Sequence, residues 1–563
     1  MTSLEKPFAI TLEIGSSRAN QTGSWRTERP EYVRQTAPCG AACPAAEDVQ
    51  QWLYHAEEGG YEAAWRKIME RNPFPAICGR VCYHPCETAC NRVQLEEAVG
   101  INSVERFLGD QGIANGWKVS ARVPGSGRRV LVIGSGPSGL SAAYHLALLG
   151  HEVTVRDMAP DAGGMMRYGI PKYRLPRDVL DAEIQRIADL GVHFELSRHV
   201  GDVLAEQLEG GFDAVFLAVG AQLPQRAYVP AGSAAKVLDA IALLRDMEDG
   251  SAGPPLLGRR VAVYGGGNTA MDTARTARRL GADEAVIVYR RNRDRMPAHE
   301  SELQEALEEG IKVKWLTTIT YADAGKLTIE RMELDENGYP QPTGEYEELD
   351  ADTVVLATGQ VSDLSLLQGV SGIEQQDNVV CVDANLMTGH PGIFAGGDMV
   401  PAERTVTVAI GHGRRAAHGI DRWLRGELPA EPPEVHDSAS FTGVGPGPSS
   451  AELPFERLNT WYYSDAPKTV REQLDSVRRS STFDEVVLGL DESNALFEAR
   501  RCMSCGNCLA CDNCYGVCPD NAVIKLEPPG AYSYAFDLDF CKGCGLCAQE
   551  CPCGAIQMQP EPI

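Results

Sequence analysis

The sequence predicts an α/β protein with two doubly wound parallel sheets, flanked by a small helical cysteine-rich domain and a compact cysteine-rich C-terminal unit. From Arg128 to about Gly426, short β-branched segments alternate with glycine-rich turns and helical patterns, as parallel doubly wound sheets require. The 18 cysteines lie at the two ends of the chain, with only Cys381 between them. The length of 563 residues is enough for about three to four domains.

Charge and cysteine spacing exclude several classes of function. Lys and Arg total 52 against 78 for Asp and Glu, and a net charge of −26 argues against binding to a phosphate backbone. Repeated short cysteine spacings favour metal ligation over the disulfide framework of a small secreted domain. The N-terminus has no signal-peptide pattern, and the uncharged stretch from Val130 to Gly150 carries four glycines and a proline. We expect a cytoplasmic protein with no nucleic-acid or membrane partner.

The first strand of the central region leads into a glycine-rich turn and a helix, in the segment VLVIGSGPSG. Glycines there allow the tight turn and close backbone approach that place a pyrophosphate at the helix N-terminus. An acid at the end of the next strand, HEVTVRD, is positioned to accept a hydrogen bond from a ribose hydroxyl. This order favours a dinucleotide site over a generic glycine-rich turn. The predicted contact residues are Gly134, Gly136, Pro137, Ser138, Gly139 and Asp157.

A second fingerprint follows in RRVAVYGGGNTAMD. Its next strand ends in YRRNRDRMPA, which places Arg290 and Arg291 where an NAD-specific site usually carries an acid. Arginines at that position favour the 2′-phosphate of NADP(H). If they only solvate the end of the strand, NAD(H) remains an alternative cofactor. The other predicted contact residues of this site are Gly265, Gly267, Asn268, Thr269 and Ala270.

Two fingerprints, the second inserted within the first unit, predict two Rossmann-like domains for two dinucleotides, and FAD plus a nicotinamide is the economical pair. In PGIFAGGDM a strand ends in two glycines and an acid. We expect the next helix to direct its positive N-terminal end at the pyrimidine edge of the isoalloxazine. DAVFLAVG and DTVVLATG look like the crossover strands of two-dinucleotide flavoproteins. The additional predicted FAD residues are Gly164, Gly220, Thr358, Gly359, Gly397, Asp398, Thr407 and Val408.

The C-terminal unit contains the pattern CxxCxxCxxxCP twice. In two-cluster ferredoxins the fourth cysteine of each run ligates the other cluster. The spacing therefore assigns one [4Fe-4S] cluster to Cys508, Cys511, Cys514 and Cys551, and the other to Cys541, Cys544, Cys547 and Cys518. A zinc site is the weaker alternative, because zinc needs four ligands and these matched runs supply eight thiolates.

The N-terminal region carries Cys39 and Cys43, then FPAICGRVCYHPCETAC and VGINSVERF. Together with both fingerprints, YRRNRDRMPA and the AGGD segment, it resembles the small subunit of glutamate synthase and its relatives, including the reductase half of dihydropyrimidine dehydrogenase. The resemblance covers about residues 38–425. With the fused ferredoxin unit, the chain is also similar to the reductase subunit of certain 2-oxoacid oxidoreductases. It is similar as well to the iron–sulfur flavoprotein that serves reverse dissimilatory sulfite reductase.

The resemblance implies a cluster held by Cys43, Cys82, Cys86 and Glu105, the last at a position that can be glutamine in the family. The family's second N-terminal cluster keeps only two ligands here and has lost its CxxC opening. EARRCMSCGNC, just before the ferredoxin runs, resembles that opening. Within one chain or across a homodimer, a fourth cluster would then be held by Cys39, Cys90, Cys502 and Cys505. Free structural thiols are the alternative.

These features predict an NAD(P)H-linked iron–sulfur flavoprotein oxidoreductase. Electrons would pass between the nicotinamide, FAD and three or four [4Fe-4S] clusters, to or from a partner redox enzyme of the 2-oxoacid oxidoreductase or sulfite reductase type. Such electron transfer needs positioning more than acid–base catalysis, so no catalytic acid is assigned. A glutamate synthase small subunit and a non-catalytic electron-transfer scaffold are the alternatives.

The predicted domain boundaries follow from these assignments. Residues 427–454 are rich in Pro, Gly, Ser and acidic residues, which indicates a linker and a separable ferredoxin domain. The predicted parts are an N-terminal extension (1–37), a helical Fe-S domain (38–125), an FAD-binding domain (126–255 and 352–426), an NAD(P)-binding domain (256–351), a linker and connector (427–500) and a 2[4Fe-4S] ferredoxin domain (501–563).

Overall fold

The computed structural model describes residues 21–561, apart from 25, 34, 121–122, 226–227, 250–254, 428–451 and 527–532. Most of the predicted extension and most of the predicted linker therefore lie outside the described residues. Within the described part, none of the helices combines the length and the apolar character that crossing a membrane would need.

The N-terminal unit is built from short helices. Three of them begin with proline at the first helical turn, where a missing N–H costs nothing, and two end directly at Cys43 and Cys82. The longest packs closely on its neighbour, since a Cβ on Gly109 would lie 2.3 Å from the backbone of Ala76. The helices are Pro38–Ala42, Val49–Glu57, Tyr61–Met69, Pro75–Val81, Pro85–Thr88 and Ile101–Ala114.

A five-stranded parallel sheet forms the core of the first dinucleotide unit. Its strand order is Ile393–Ala395, Ala214–Leu217, Arg129–Ile133, Glu152–Arg156 and His193–Glu195. The first fingerprint follows strand Arg129–Ile133, at the carboxyl edge of this parallel sheet. The helices of this unit are Pro137–Leu148, Met165–Tyr168, Arg177–Ala188, Val203–Gly210 and Val406–Leu424.

A second five-stranded parallel sheet carries the second fingerprint, which confirms the predicted fold class. Its order is Lys312–Lys314, Glu284–Val288, Arg260–Tyr264, Thr353–Leu356 and Val237–Asp239. The last two strands lie outside the predicted bounds of 256–351, because a strand of three or four residues carries no sequence signal for which sheet it joins. The helices here are Ala240–Asp249, Asn268–Arg279 and Glu300–Glu308.

Smaller sheets complete the two dinucleotide units. An antiparallel sheet of three strands covers Thr317–Asp323, Lys326–Leu334 and Pro340–Asp350. The chain crosses between the two units along Leu223–Pro224 and Gln360–Val361, which pair with each other. A two-stranded pair is formed by Gln375–Gln376 and Val379–Val380.

A buried group of charges fixes the two dinucleotide units against each other. Arg174 of the first unit pairs with Asp272 at 2.8 Å and also with Glu302, both in the second unit. All three side chains are at most 10% exposed. A buried charge that loses its partner is costly, so this arrangement holds the units in one relative orientation.

The contacts that join the C-terminal part to the N-terminal part include a strand pair and a buried arginine. Strand Ile556–Pro560 pairs antiparallel with Glu28–Tyr32, so both ends of the chain share one sheet. The guanidinium of Arg501 donates to the carbonyls of Ala98 and Glu97 at 2.7 and 2.8 Å. Truncating the chain near residue 453 would remove the partners of both contacts. The separable ferredoxin domain expected from the sequence stays a prediction. The other elements here are helices Ser476–Ser481, Glu492–Arg500, Asn513–Val517 and Leu546–Gln549 and strands Val523–Lys525 and Tyr534–Phe536.

Candidate functional site

A cavity of about 780 Å³ lies between the two dinucleotide units, and both fingerprints open into it. Such a volume suits extended ligands, since ligand cavities commonly measure about 300–1,000 Å³. The predicted residues that line it are Gly134, Gly136, Pro137, Ser138, Asp157, Gly164, Gly220, Gly265, Gly267, Asn268, Thr269, Arg290, Arg291, Thr358, Gly359, Gly397 and Asp398.

The first turn has the geometry of a pyrophosphate site. Gly134 has φ +107°, and a Cβ there would lie 2.2 Å from the carbonyl oxygen of Ala218. Gly139 packs the helix on the strand instead of lining the cavity, since its Cβ would lie 1.9 Å from the oxygen of Gly134. The Ser138 hydroxyl is buried and has no hydrogen-bond partner among the described residues. An FAD phosphate oxygen would supply one, so these residues fit the cofactor.

Asp157 lies at the cavity wall, where the sequence predicts a ribose contact. One carboxylate oxygen accepts hydrogen bonds from the amide and the hydroxyl of Ser135, both at 2.6 Å. The other accepts from the amide of Ala159 at 2.8 Å. A ribose hydroxyl would donate to a carboxylate that already accepts hydrogen bonds from the turn. Two carboxylate oxygens have enough lone pairs for this additional hydrogen bond.

The second fingerprint presents two arginines to the other end of the cavity. Arg290 is exposed and Arg291 is half-buried, and both line the wall. The buried Nε of Arg291 has no hydrogen-bond partner among the described residues. A donor of this kind suits a phosphate group. Ala270 does not line the cavity; it lies in helix Asn268–Arg279 and packs in the hydrophobic core of the second unit.

Tyr83 is a cavity residue that the sequence analysis missed. Its hydroxyl accepts a hydrogen bond from the side-chain amide of Asn268 at 2.7 Å, and its ring stacks on His299 at 4.5 Å. Tyr83 directly follows the predicted cluster ligand Cys82. It thereby ties the second fingerprint to the N-terminal cysteine group, a connection that spans 185 residues and leaves no local sequence signal.

The helix Val406–Leu424 reaches both the cavity and the cysteines. Thr405, Val406 and Ala409 line the cavity at its N-terminal end. The predicted residues Thr407 and Val408 are placed differently. The amide of Val408 donates to the Thr405 hydroxyl at 3.2 Å. Thr407 instead lies beside Cys82.

The Thr407 hydroxyl donates a hydrogen bond to the sulfur of Cys82. Burial raises the pKa of the Cys82 thiol, and this hydrogen bond opposes the shift. One residue of the cavity-lining helix therefore touches a predicted cluster ligand.

At the same cavity end, burial raises the pKa of the Asp398 carboxyl, and the nearby positive charge of Arg404 opposes this shift.

The predicted N-terminal ligands converge in a buried place. Cys86 lies beside Cys43 and Cys82, and Cys43 lies beside Glu105. Glu105 accepts a hydrogen bond from the amide of Asn72 at 3.1 Å. Burial raises the pKa of each of these four groups, so their charged, metal-binding forms need a bound cation to be stable. This donor set fits an iron–sulfur cluster.

Two further residues surround Glu105. Burial is the main cause that raises its pKa, and the neighbouring carboxyl of Glu47 adds to the effect. Glu47 itself has its pKa raised to about 7 by burial. Cys78, which the sequence analysis left without a role, lies beside Glu105 and Cys82.

The C-terminal cysteines group as the ferredoxin spacing predicts. Cys514 has Cys508, Cys551 and Cys511 as its charged sulfur neighbours. The other predicted set lines one small cavity, formed by Cys518, Cys541, Cys544 and Cys547. The Cys553 thiol donates to Cys551 at 3.7 Å and lowers the pKa of Cys551 to about 6.

The remaining predicted ligands, Cys39, Cys90, Cys502 and Cys505, line a third cavity at the junction of the two chain ends. All 18 cysteines are free of disulfides. In the part of the chain described here, no three His, Cys, Asp or Glu side chains are spaced to hold a single metal ion.

Three family models match the chain. A pyridine nucleotide-disulphide oxidoreductase model matches residues 128–413. A model of dihydropyrimidine dehydrogenase domain II, with a 4Fe-4S cluster, matches residues 29–117. A 4Fe-4S dicluster domain matches residues 507–555.

Curated relatives cover most of the chain. The beta subunit of NADP(+)-dependent formate dehydrogenase from Moorella thermoacetica is 36% identical over 506 residues, which cover 84% of this chain and 70% of the relative. The beta subunit of NADPH-Fe(3+) oxidoreductase from Geobacter sulfurreducens is 32% identical over 517 residues, 84% of this chain and 75% of the relative. The glutamate synthase [NADPH] small chain of Escherichia coli is 32% identical over 416 residues, which cover 69% of this chain and 88% of the relative.

Proposed function

The chain belongs to the pyridine nucleotide-disulphide oxidoreductase family as an iron–sulfur flavoprotein oxidoreductase, and we propose that it is the NADPH-oxidising subunit of a larger redox enzyme. The predicted resemblance, enzyme class and cofactor types are thereby confirmed. The relatives are named as beta or small subunits, which supports a partner subunit that completes the reaction. The class of that partner, a homodimer and a cytoplasmic location stay predictions.

The observation that carries this proposal is a single cavity with a different chemical character at each end. Arg290 and Arg291 line the end formed by the second fingerprint. Thr405 and Val406 line the end formed by the first unit, and Thr407 of the same helix contacts Cys82. A nicotinamide dinucleotide and a flavin would therefore meet inside the cavity, with the predicted iron–sulfur ligand Cys82 between the wall residues Val81 and Tyr83.

Each end has its own role in the proposed reaction. FAD, when bound, accepts two electrons and a proton from NADPH and releases the electrons one at a time. The two arginines bind the 2′-phosphate that distinguishes NADPH from NADH. The turn at Gly134 and the hydroxyl of Ser138 hold the flavin pyrophosphate. Overall, NADPH becomes NADP⁺ and a proton, and two electrons leave toward the clusters.

The choice of nicotinamide tests this proposal. Replacing Arg290 and Arg291 by alanine removes charge-assisted hydrogen bonds that contribute about 1.5–3 kcal/mol. We expect kcat/KM for NADPH with a viologen dye to fall about 10- to 150-fold, while kcat/KM for NADH stays near the wild-type value. The control is Arg293→Ala, because this exposed arginine is bound to Glu300 and does not line the cavity.

Two outcomes would contradict the proposal. If the wild-type protein prefers NADH, the arginines do not recognise the phosphate. If the protein binds reducible FAD but reduces no dye with either nucleotide, it is an electron-transfer scaffold.

A further inference from the structure

We propose that Cys39, Cys90, Cys502 and Cys505 hold a fourth [4Fe-4S] cluster, which connects the N-terminal cluster to the two ferredoxin clusters. The site would take an iron–sulfur cofactor with ligands from both ends of one chain. This inference rests on the proposed electron path, because the cluster would serve as a relay within it.

The four sulfurs line one small cavity of about 20 Å³, together with apolar residues such as Leu53 and Val99. The cavity lined by Cys518, Cys541, Cys544 and Cys547 also measures about 20 Å³. That second cavity lies within the segment matched by the 4Fe-4S dicluster domain. Two cavities of nearly equal volume, each lined by four cysteines, suit the same cofactor.

The loop from Cys502 to Cys505 also has the backbone conformation of the ferredoxin loops. Its third residue, Ser504, has φ +50°. The third residues of the matching loops are Ala510, with φ +54°, and Gly543, with φ +70°. Serine and alanine rarely adopt positive φ, so the surrounding structure must enforce it. The shared conformation therefore indicates a shared task.

That task is to direct an amide at the sulfur of the first cysteine. The amide of Ser504 donates to the sulfur of Cys502 at 3.4 Å. The amides of Ala510 and Gly543 make the same contact with Cys508 and Cys541. Hydrogen bonds to ligand sulfurs are a regular means by which proteins stabilise and tune iron–sulfur clusters. Such a contact stabilises a negatively charged ligand thiolate more than a neutral thiol.

A side-chain amide supports the second cysteine of the loop. Asn91, which directly follows Cys90, donates to the sulfur of Cys505 at 3.6 Å. The N-terminal and C-terminal halves of the site are thus already in contact. The arrangement is complete within one chain and needs no second copy.

Burial and like charge favour a bound metal cluster over four uncoordinated thiols. Cys39 is buried, and its charged sulfur neighbours are Cys502, Cys90 and Cys505. Thiolates are the forms that bind iron, and their mutual repulsion in a buried place is offset only when metal cations lie between them.

The position of the site completes a path for electrons. On one side, Cys39 is a charged neighbour of Cys86 in the N-terminal group. On the other side, the half-buried ring of Tyr463 lies near Cys505 and also near Cys551 of the ferredoxin group. The Tyr463 hydroxyl donates to the carbonyl of Met503 at 2.9 Å, which holds the ring between the two groups.

Metal analysis of the full-length protein, purified and reconstituted without oxygen, tests the proposal. Four clusters require about sixteen irons per chain and three require about twelve. We expect about sixteen in the wild type and about twelve in the double variant Cys502→Ser/Cys505→Ser. The control is Cys381→Ser, because this half-buried cysteine lies outside every cysteine group.

A second measurement separates this proposal from the proposed function. In the double variant, NADPH should still reduce a viologen dye through the flavin but should no longer reduce the ferredoxin clusters, followed by EPR. Dithionite should still reduce those clusters directly. If the wild type does not reduce the dye with NADPH, the proposed function is contradicted. The metal count would still test the fourth cluster by itself.

Three results would overturn the fourth cluster. One is a fully loaded wild type with about twelve irons, and this result requires no variant to fold. Another is one zinc per chain that disappears in the double variant. The third is a double variant that matches the wild type both in iron count and in the reduction of the ferredoxin clusters by NADPH. If the double variant does not fold, Cys90→Ser tests the same site from the N-terminal side.

Discussion

The two cysteine-rich ends of this chain assemble their sites in opposite ways. The ferredoxin ligands lie within two short runs between Cys508 and Cys551, so spacing alone specifies which cysteines belong together. The N-terminal group draws on residues from Cys43 to Glu105, carried by separate helices. The first kind of site is encoded locally, whereas the second exists only after the helices have packed. Variants at the two ends should therefore fail differently.

The largest effect is expected at Glu105, which has no equivalent in the ferredoxin runs. Glu105→Ala removes the proposed oxygen ligand from a buried site, and we expect the loss of one cluster, about four irons per chain. Glu105→Cys should retain the iron and shift the EPR signal of that cluster, because a thiolate replaces a carboxylate. The same iron content and the same EPR signal in both variants would place Glu105 outside the cluster.

We expect a smaller but substantial loss of stability from a substitution where the two ends of the chain are joined. Arg501 is fully buried and pairs at 2.5 Å with Glu498, which is itself fully buried. Arg501→Ala leaves this carboxylate without its cation, and such a change typically costs about 3–5 kcal/mol of the free energy of unfolding. Urea unfolding, followed by the absorbance of the clusters, measures it.

The neighbouring arginine provides the control for that prediction. Arg500 is exposed and makes one hydrogen bond, to the carbonyl of Glu57 at 3.2 Å. Arg500→Ala should change the free energy of unfolding by about 0.5 kcal/mol or less. Equal effects of the two substitutions would show that the buried pair of Arg501 and Glu498 does not hold the ends together.

The same contrast explains what the sequence could predict. Both fingerprints, the ferredoxin runs and the fold class could be predicted because each is a local pattern of glycines, cysteines and apolar residues. Tyr83 could not, since its contact with Asn268 depends on how two domains pack. Nor could Thr407, whose contact with Cys82 depends on the rotation of its helix.

The pairing of the chain ends was equally hidden. The strand Glu28–Tyr32 is a short polar segment, ERPEY, with no apolar alternation to indicate a strand. It forms because Ile556–Pro560 offers an edge to pair with. The N-terminal extension is therefore, in part, an element of the ferredoxin unit.

The smallest expected effect tests whether that strand also acts on a cluster. The Tyr32 hydroxyl donates to the sulfur of Cys514 at 3.5 Å, and its ring stacks on Phe536 at 4.9 Å. Tyr32→Phe keeps the ring and removes a hydrogen bond of about 0.5–1.5 kcal/mol. Because this bond stabilises the more negative, reduced cluster, its loss should lower the midpoint potential by roughly 20–60 mV, with the iron content unchanged. Tyr462→Phe is the control, since its hydroxyl binds Glu550 and not a sulfur. An unchanged potential in Tyr32→Phe, measured by EPR-monitored titration, would mean that the N-terminal strand supports the ferredoxin unit through its backbone alone.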